Sequence, residues 1–250
     1  WMLQRTATVL DQISEAFEGY EFFRFFQLLQ NFCVADLSNF YLDIAKDRLY
    51  VSAPNDKRRR SCQTVMALII ERLAAAIAPV LCHMAEDIWQ NIPYPTGTES
   101  VFLSGWPTVP EEWRDDSLHA PMQELRDLRA AVNKVLEECR RKRKLGASLE
   151  AAVRLEARTP ALQDALLWLQ SEGDQEVDGL RDWLLVSQLQ IGGEPWAELL
   201  ASDDNVLAVI EVALSRGKKC ERCWHYESDI GQNSDHPGLC GRCVSVLERR

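Results

Sequence analysis

Four cysteines near the end of this 250-residue chain constrain it more than anything else in it: Cys220-Glu-Arg-Cys223, sixteen residues, then Cys240-Gly-Arg-Cys243. Two Cys-x2-Cys pairs at that separation place four thiolates around one Zn2+ with every coordination position filled. Such a shell leaves no room for a catalytic water, so the metal is expected to be structural. The intervening stretch, Trp224 to Leu239, carries Gly231, Asn233, Pro237 and Gly238, which suit tight turns. The pattern predicts a zinc ribbon. His225 and His236 lie inside the loop and are alternative ligands, secondary while four cysteines are available.

Two disulfides are the competing reading, and the other cysteines argue against it. Cys33, Cys62, Cys82 and Cys139 are scattered singly through helical stretches, as reduced thiols in a cytoplasmic protein would be. No signal peptide opens the chain and no apolar run reaches transmembrane length, so no membrane association is expected. The first residue is Trp1, which points to a piece of a longer protein.

The net charge of -10 argues against a nucleic-acid partner, but its distribution does not. Arg58-Arg59-Arg60, Arg140 to Lys144, and Arg216 with Lys218 and Lys219 are basic clusters on an acidic chain. Any one of them is explained by a solvated face. Three of them, ending beside a zinc ribbon, favour RNA or DNA.

The periodicity divides the chain. Up to about Asn91 it is helical: Phe22, Phe25, Phe26, Leu29, Phe32 and Cys33 recur at three- and four-residue steps, which reads as core packing rather than a base-stacking platform. A second helical run from Ser61 to Gln90 contains Pro79, which should kink it. From Asn91 to Asp116, prolines and glycines predict a surface loop. A helix follows from Met122 to about Lys144; cations in its last turns complement the dipole, and Gly146 is its expected stop. The period then becomes two. Leu149 to Glu156 reads as a half-buried strand, with further strands at Trp183 to Ile191 and Val206 to Leu214 and a short helix near Ala161 to Gln170 between them. The expected fold class is α+β: a helical bundle (1–116), a helix plus small α/β junction module (117–215) and a four-cysteine zinc ribbon (216–250). No phosphate-binding loop, dinucleotide fingerprint or nucleophile elbow is present, so the chain reads as a binding module with no catalytic residues.

Specific strings then point to a family. Phe40-Tyr41-Leu42-Asp43-Ile44-Ala45-Lys46-Asp47-Arg48-Leu49-Tyr50, followed by Arg59-Arg60-Ser61-Cys62-Gln63-Thr64, resembles the anticodon-binding helical domain of isoleucyl-tRNA synthetases. Ala78-Pro79-Val80-Leu81 with Ala85-Glu86-Asp87-Ile88-Trp89, then Ser100-Val101-Phe102-Leu103 with Trp106-Pro107, are similar to its next helix and the segment after it. Arg126 to Lys134 and Gly146 to Ala151 match its junction helix and turn. Lys219 to Tyr226 with Cys240-Gly241-Arg242-Cys243 matches the zinc finger of the bacterial type, shared in form with formamidopyrimidine-DNA glycosylases. The HIGH and KMSKS signatures of the catalytic fold do not occur in these residues.

The resemblance implies the anticodon-recognising, C-terminal portion of such a synthetase: a monomeric, cytoplasmic ligase that charges tRNA(Ile) with isoleucine. Its ATP- and Mg2+-dependent catalytic domain and its editing domain lie upstream, and this portion alone is expected to be inactive. A glycosylase-type DNA-repair finger and a free-standing zinc-ribbon interaction protein are the alternatives. The expected ligands are Cys220, Cys223, Cys240 and Cys243. Arg126, Arg129, Arg140, Arg141 and Arg143 are candidates for the RNA backbone. Arg222, Trp224, His225 and Tyr226 are candidates for stacking on bases.

Overall fold

The computed structural model describes residues 1–172 and 179–248. The chain forms two compact units, Trp1–Leu49 with Pro54–Asp116, and Tyr50–Ala53 with Ser117–Arg250.

In the first unit, α1 (Met2–Glu18) buries Met2, Thr6, Val9, Leu10, Ile13 and Ala16, the three- and four-residue spacing of one helix face. The chain reverses through Tyr20, whose φ of 57° is left-handed, and α2 (Phe22–Asn31) returns along it. The aromatic stripe divides here. Phe25 and Phe32 are core, whereas Phe22, Phe23 and Phe26 are exposed, so core packing accounts for only one side of it. Next comes a π-helical segment, Phe32–Leu42, that buries Phe32, Asp36 and Phe40. Steps of four keep one face aligned on this wider turn. Arg5 Nε meets the buried Asp36 carboxylate at 2.8 Å, a charge that would be costly to bury alone. The path continues as α3 (Asp43–Tyr50).

Asp56 caps α4 (Lys57–Ile77), accepting the N–H groups of Arg58 and Arg59 at 2.9 and 3.2 Å. The kinked helix expected over 61–90 is instead two helices. Pro79 lacks an N–H and its ring clashes with the preceding turn, so α4 stops at Ile77. The N–H groups of Val80 and Leu81 both turn back to the Ile77 carbonyl, and α5 (Cys82–Gln90) starts anew. The Pro- and Gly-rich stretch after it is anchored rather than loose. Val101 and Trp113 are buried, Glu86 accepts from Ser100 and from the Val101 N–H, and Arg72 stacks over Trp113 at 4.8 Å.

The second unit is a helix-covered sheet carrying the ribbon. Strands β1 (Ala151–Ala157), β2 (Gln188–Ile191), β3 (Ala201–Asp204) and β4 (Ala208–Leu214) lie in the order β2-β1-β4-β3, with β1 and β2 parallel and the other pairs antiparallel. Ala151, Val153 and Leu155 of β1 and Ala208, Ile210 and Val212 of β4 share one core with α6 (His119–Arg141), α7 (Pro160–Glu172) and α8 (Gly179–Leu184). The alternation was legible; the solvated second face was not what formed. Arg154 is 2% exposed, paired in register with Glu211 and 3.3 Å from its carboxylate. The loop after β2 closes over them: Gly193 O accepts from Arg154 Nη2 at 2.7 Å, and the Trp196 N–H donates to Glu211 at 3.1 Å.

Two further expectations are corrected, and one strand was not expected. Trp183 belongs to α8, and only Gln188–Ile191 of the expected 183–191 strand is extended, after Leu185 turns the chain at φ 54°. Strand β3, Ala-Ser-Asp-Asp, has none of the residue types that favour strands and is held by β4. Finally, α6 stops before Gly146. Arg143 takes the left-handed position, φ 55°, while its N–H bonds to Arg140 O and that of Lys144 to Cys139 O. That is the Schellman pattern with an arginine where glycine is usual.

Candidate metal centre and nucleic-acid interface

The ribbon comprises β5 (Lys218–Lys219) paired with β6 (Tyr226–Glu227), and α9 (Gly241–Glu248). Its entry requires a glycine. At Gly217 the φ is +101°, and a Cβ would lie 2.4 Å from Glu227 O. The first knuckle is closed by the Trp224 N–H to Cys220 O at 3.0 Å and the Cys220 N–H to His225 O at 2.8 Å, with Trp224 itself left-handed at φ 66°. The second opens α9, its Gly241 N–H bound to Asp229 at 2.7 Å. Tyr226 N–H donates to Ser187 Oγ and Arg181 bridges Ser187 O and Glu227, which fastens the ribbon to the sheet module.

These turns bring together Cys220, Cys223, Cys240 and Cys243, all buried, with their sulfurs within 4.8 Å of one another. No cysteine is in a disulfide. Among the described residues the cluster contains no histidine. The donor set is the soft, all-sulfur one that suits zinc. The thiols are strongly coupled. Hydrogen bonds from Cys240 and Cys243 hold Cys223 well below its ordinary value. Hydrogen bonding to Cys223 holds Cys240 far above its own and pushes Cys243 up to about 11. One thiolate opposes ionisation of its neighbours, and a central divalent cation relieves that repulsion.

The candidate RNA contacts separate by exposure. Arg141 and Arg143 are exposed at the end of α6. Arg140 is engaged, with Nε 2.9 Å from Glu137 and Nη1 2.7 Å from Ser148 Oγ, and Lys142 and Lys144 are held by Glu138 and Leu200 O. Arg126 is half-buried. Arg129 is 6% exposed and donates from Nε to Trp183 O at 2.6 Å, so it serves the interior and not a phosphate. Its spacing from Leu125, Leu128 and Val132 was the available signal, since it places Arg129 on the buried stripe.

On the ribbon, Trp224 is 60% exposed with Lys219 Nζ 5.4 Å above its ring. Its ring is therefore not buried against the metal knuckle. His225, 4% exposed, has no face to offer a base. Tyr226 is half-buried, and Arg222 turns inward to Cys243. Arg216, Lys218 and Lys219, legible in the sequence only as a basic cluster, are exposed, and of the three Lys219 lies over Trp224.

The described chain thus consists of a helical unit and a sheet module that carries a ribbon of four buried thiols. Residues 1–155 match the family model described as the anticodon-binding domain of tRNA ligase, and residues 217–246 match the zinc finger found in FPG and IleRS. The chain belongs to the anticodon-binding family of tRNA ligases, and its ribbon is a structural zinc site. It is 95% identical over its whole length to an isoleucine–tRNA ligase of Synechococcus sp. (strain CC9311), 75% to one of Parasynechococcus marenigrum (strain WH8102) and 73% to one of Prochlorococcus marinus (strain MIT 9313). In each case it spans 26% of that protein. The finger model alone is shared with glycosylases; the match over 1–155 disfavours that alternative.

Proposed function

We propose that this chain supplies anticodon recognition to an isoleucine–tRNA ligase. The parent would be a monomeric cytoplasmic enzyme that attaches isoleucine to tRNA(Ile) using ATP and Mg2+ bound elsewhere in its polypeptide. The observation that carries the reading is the joint one: the anticodon-binding match over 1–155 within a chain 95% identical throughout to such a ligase. Arg141 and Arg143 grip the RNA backbone through their guanidinium groups. Trp224, steadied by Lys219, stacks on an unstacked base, the mode by which single-stranded loops are read.

The two kinds of interaction predict different defects. Replacing Arg141 and Arg143 should weaken binding to any tRNA and flatten the dependence of log affinity on log salt by roughly 0.7–0.9 for each phosphate no longer neutralised. Trp224→Ala should leave that slope nearly unchanged, weaken binding by roughly 1–3 kcal/mol for the stacked base lost, and reduce the preference for tRNA(Ile) over a tRNA with another anticodon. Fluorescence anisotropy with both tRNAs across a salt series measures both quantities. If neither tRNA binds the folded, zinc-loaded chain at low salt, the reading fails. Full discrimination by the Trp224 variant removes base reading from the ribbon.

A further inference from the structure

Both cysteine pairs carry an arginine in the same place, before the second cysteine: Arg222 in one, Arg242 in the other. The two reach across rather than along the chain. Arg222 Nη1 lies 3.6 Å from the sulfur of Cys243, and the Arg242 side chain hydrogen-bonds the sulfur of Cys223. Each guanidinium thus serves the last cysteine of the opposite knuckle. Both arginines are half-buried. Backbone amides supply further donors: Cys240 N–H to Cys220 at 3.4 Å, His225 N–H to Cys223, and Cys243 N–H to Cys240.

A zinc ion held by four thiolates carries two net negative charges. Burying charge without compensation is costly, and neutral amides orient toward sulfur without cancelling it. Two guanidiniums cancel it. Arginine is suited to the task because it stays protonated, sheds water more easily than an ammonium and offers several N–H donors from one plane. Lys219 lies over Trp224, and Asp229 holds the second knuckle through Gly241. The cationic groups directed at the sulfurs from the two knuckles are these arginines.

We infer that Arg222 and Arg242 form a crossed, charge-compensating pair that neutralises the zinc–thiolate cluster and guards its sulfurs against loss of metal and attack by electrophiles. They are positioning residues for the metal centre and not contacts to tRNA. Positive charge beside a thiolate favours its ionised, metal-binding form over the protonated one that would release the metal, and the lowered energy of its lone pairs raises the energy of charge transfer to the metal and slows attack on an alkylating carbon. The consequence is a cluster that is slower to react than its setting on a small ribbon would allow.

The test uses the full chain with Arg222→Gln, Arg242→Gln and the double substitution. Each single variant leaves the other arginine in place, so an effect is read even where the double variant does not fold. Zinc retention against a competing chelator should weaken by about tenfold per arginine, the lower end of the effect of removing an outer-shell partner. With Co2+ in place of zinc, the sulfur-to-metal charge-transfer band should move to lower energy. Iodoacetamide, which loses iodide as sulfur takes its carbon, should modify the cluster faster. Variants equal to the parent in retention, band and alkylation would overturn the inference. So would variants whose only defect is weaker tRNA binding with a flatter salt dependence. A parent chain that takes up neither Zn2+ nor Co2+ would remove the metal site itself, and it is seen before any variant is compared.

Discussion

Cys223→Ser or Cys240→Ser is expected to empty the metal site and unfold the ribbon. Among the described residues, the apolar cluster around the four cysteines adds to them only Val51 and the partly buried Ile230 and Leu239, far too little apolar area to order such a segment alone. Structural zinc supplies on the order of 10–16 kcal/mol of apparent binding energy in domains of this kind, and a serine oxygen is a poor replacement for a soft thiolate. Native mass spectrometry should find one Zn2+ per parent chain and none in the variants. The far-UV signal should fall only slightly, because α1, α2 and α4 to α8 belong to two other cores. NMR resonances of residues 217–248 should collapse into the unfolded range. An ordered, metal-free ribbon would mean that the backbone, and not the zinc, holds the knuckles.

The second large effect is expected inside the sheet module. Arg154→Met removes the cation that faces Glu211 and the two bonds to Gly193 O, and it leaves the carboxylate buried with the Trp196 N–H as its donor. Stripping one partner from a buried pair costs about 3–5 kcal/mol, which for a domain of this size lowers Tm by on the order of 10 °C. Arg154→Met combined with Glu211→Leu should recover much of that stability, since a well-packed apolar pair avoids the orphaned charge. Urea unfolding followed through tryptophan fluorescence, with Trp196 as a local reporter, distinguishes the cases. A single-variant destabilisation below about 1 kcal/mol would show that water reaches Glu211 as soon as the arginine is gone.

What could be read in advance was what depends on residues close in sequence. The Cys-x2-Cys spacing, read with the scattered single cysteines, points to a metal site, and the stripes of α1 and α6 follow from helical period alone. Misreadings arise where a distant partner decides. β3 is a strand because β4 offers it an edge, and Trp183 lies in α8, where Arg129, 54 residues away, bonds its carbonyl. Arg154 looks solvated until a loop 39 residues away folds over it. Charge and aromaticity point Arg129 and His225 toward RNA, yet both are interior groups. For Arg129 the buried stripe gives warning; for His225, in the knuckle turn, local sequence gives none. The repeated arginine of the two knuckles is plain in the sequence, but its crossed use depends on how they fold together.

The left-handed cap at Arg143 sets local geometry and charge in opposition. An L-residue with a side chain pays roughly 1 kcal/mol in that conformation relative to glycine, and an alanine there would keep the strain while discarding the guanidinium. Arg143→Gly is therefore expected to behave contrary to the usual run of functional-site substitutions, raising the unfolding midpoint of the module while loosening its hold on RNA. Frustration confined to one residue in this way would mark the end of α6 as a place where the chain retains a less stable backbone to keep a positive charge at the surface.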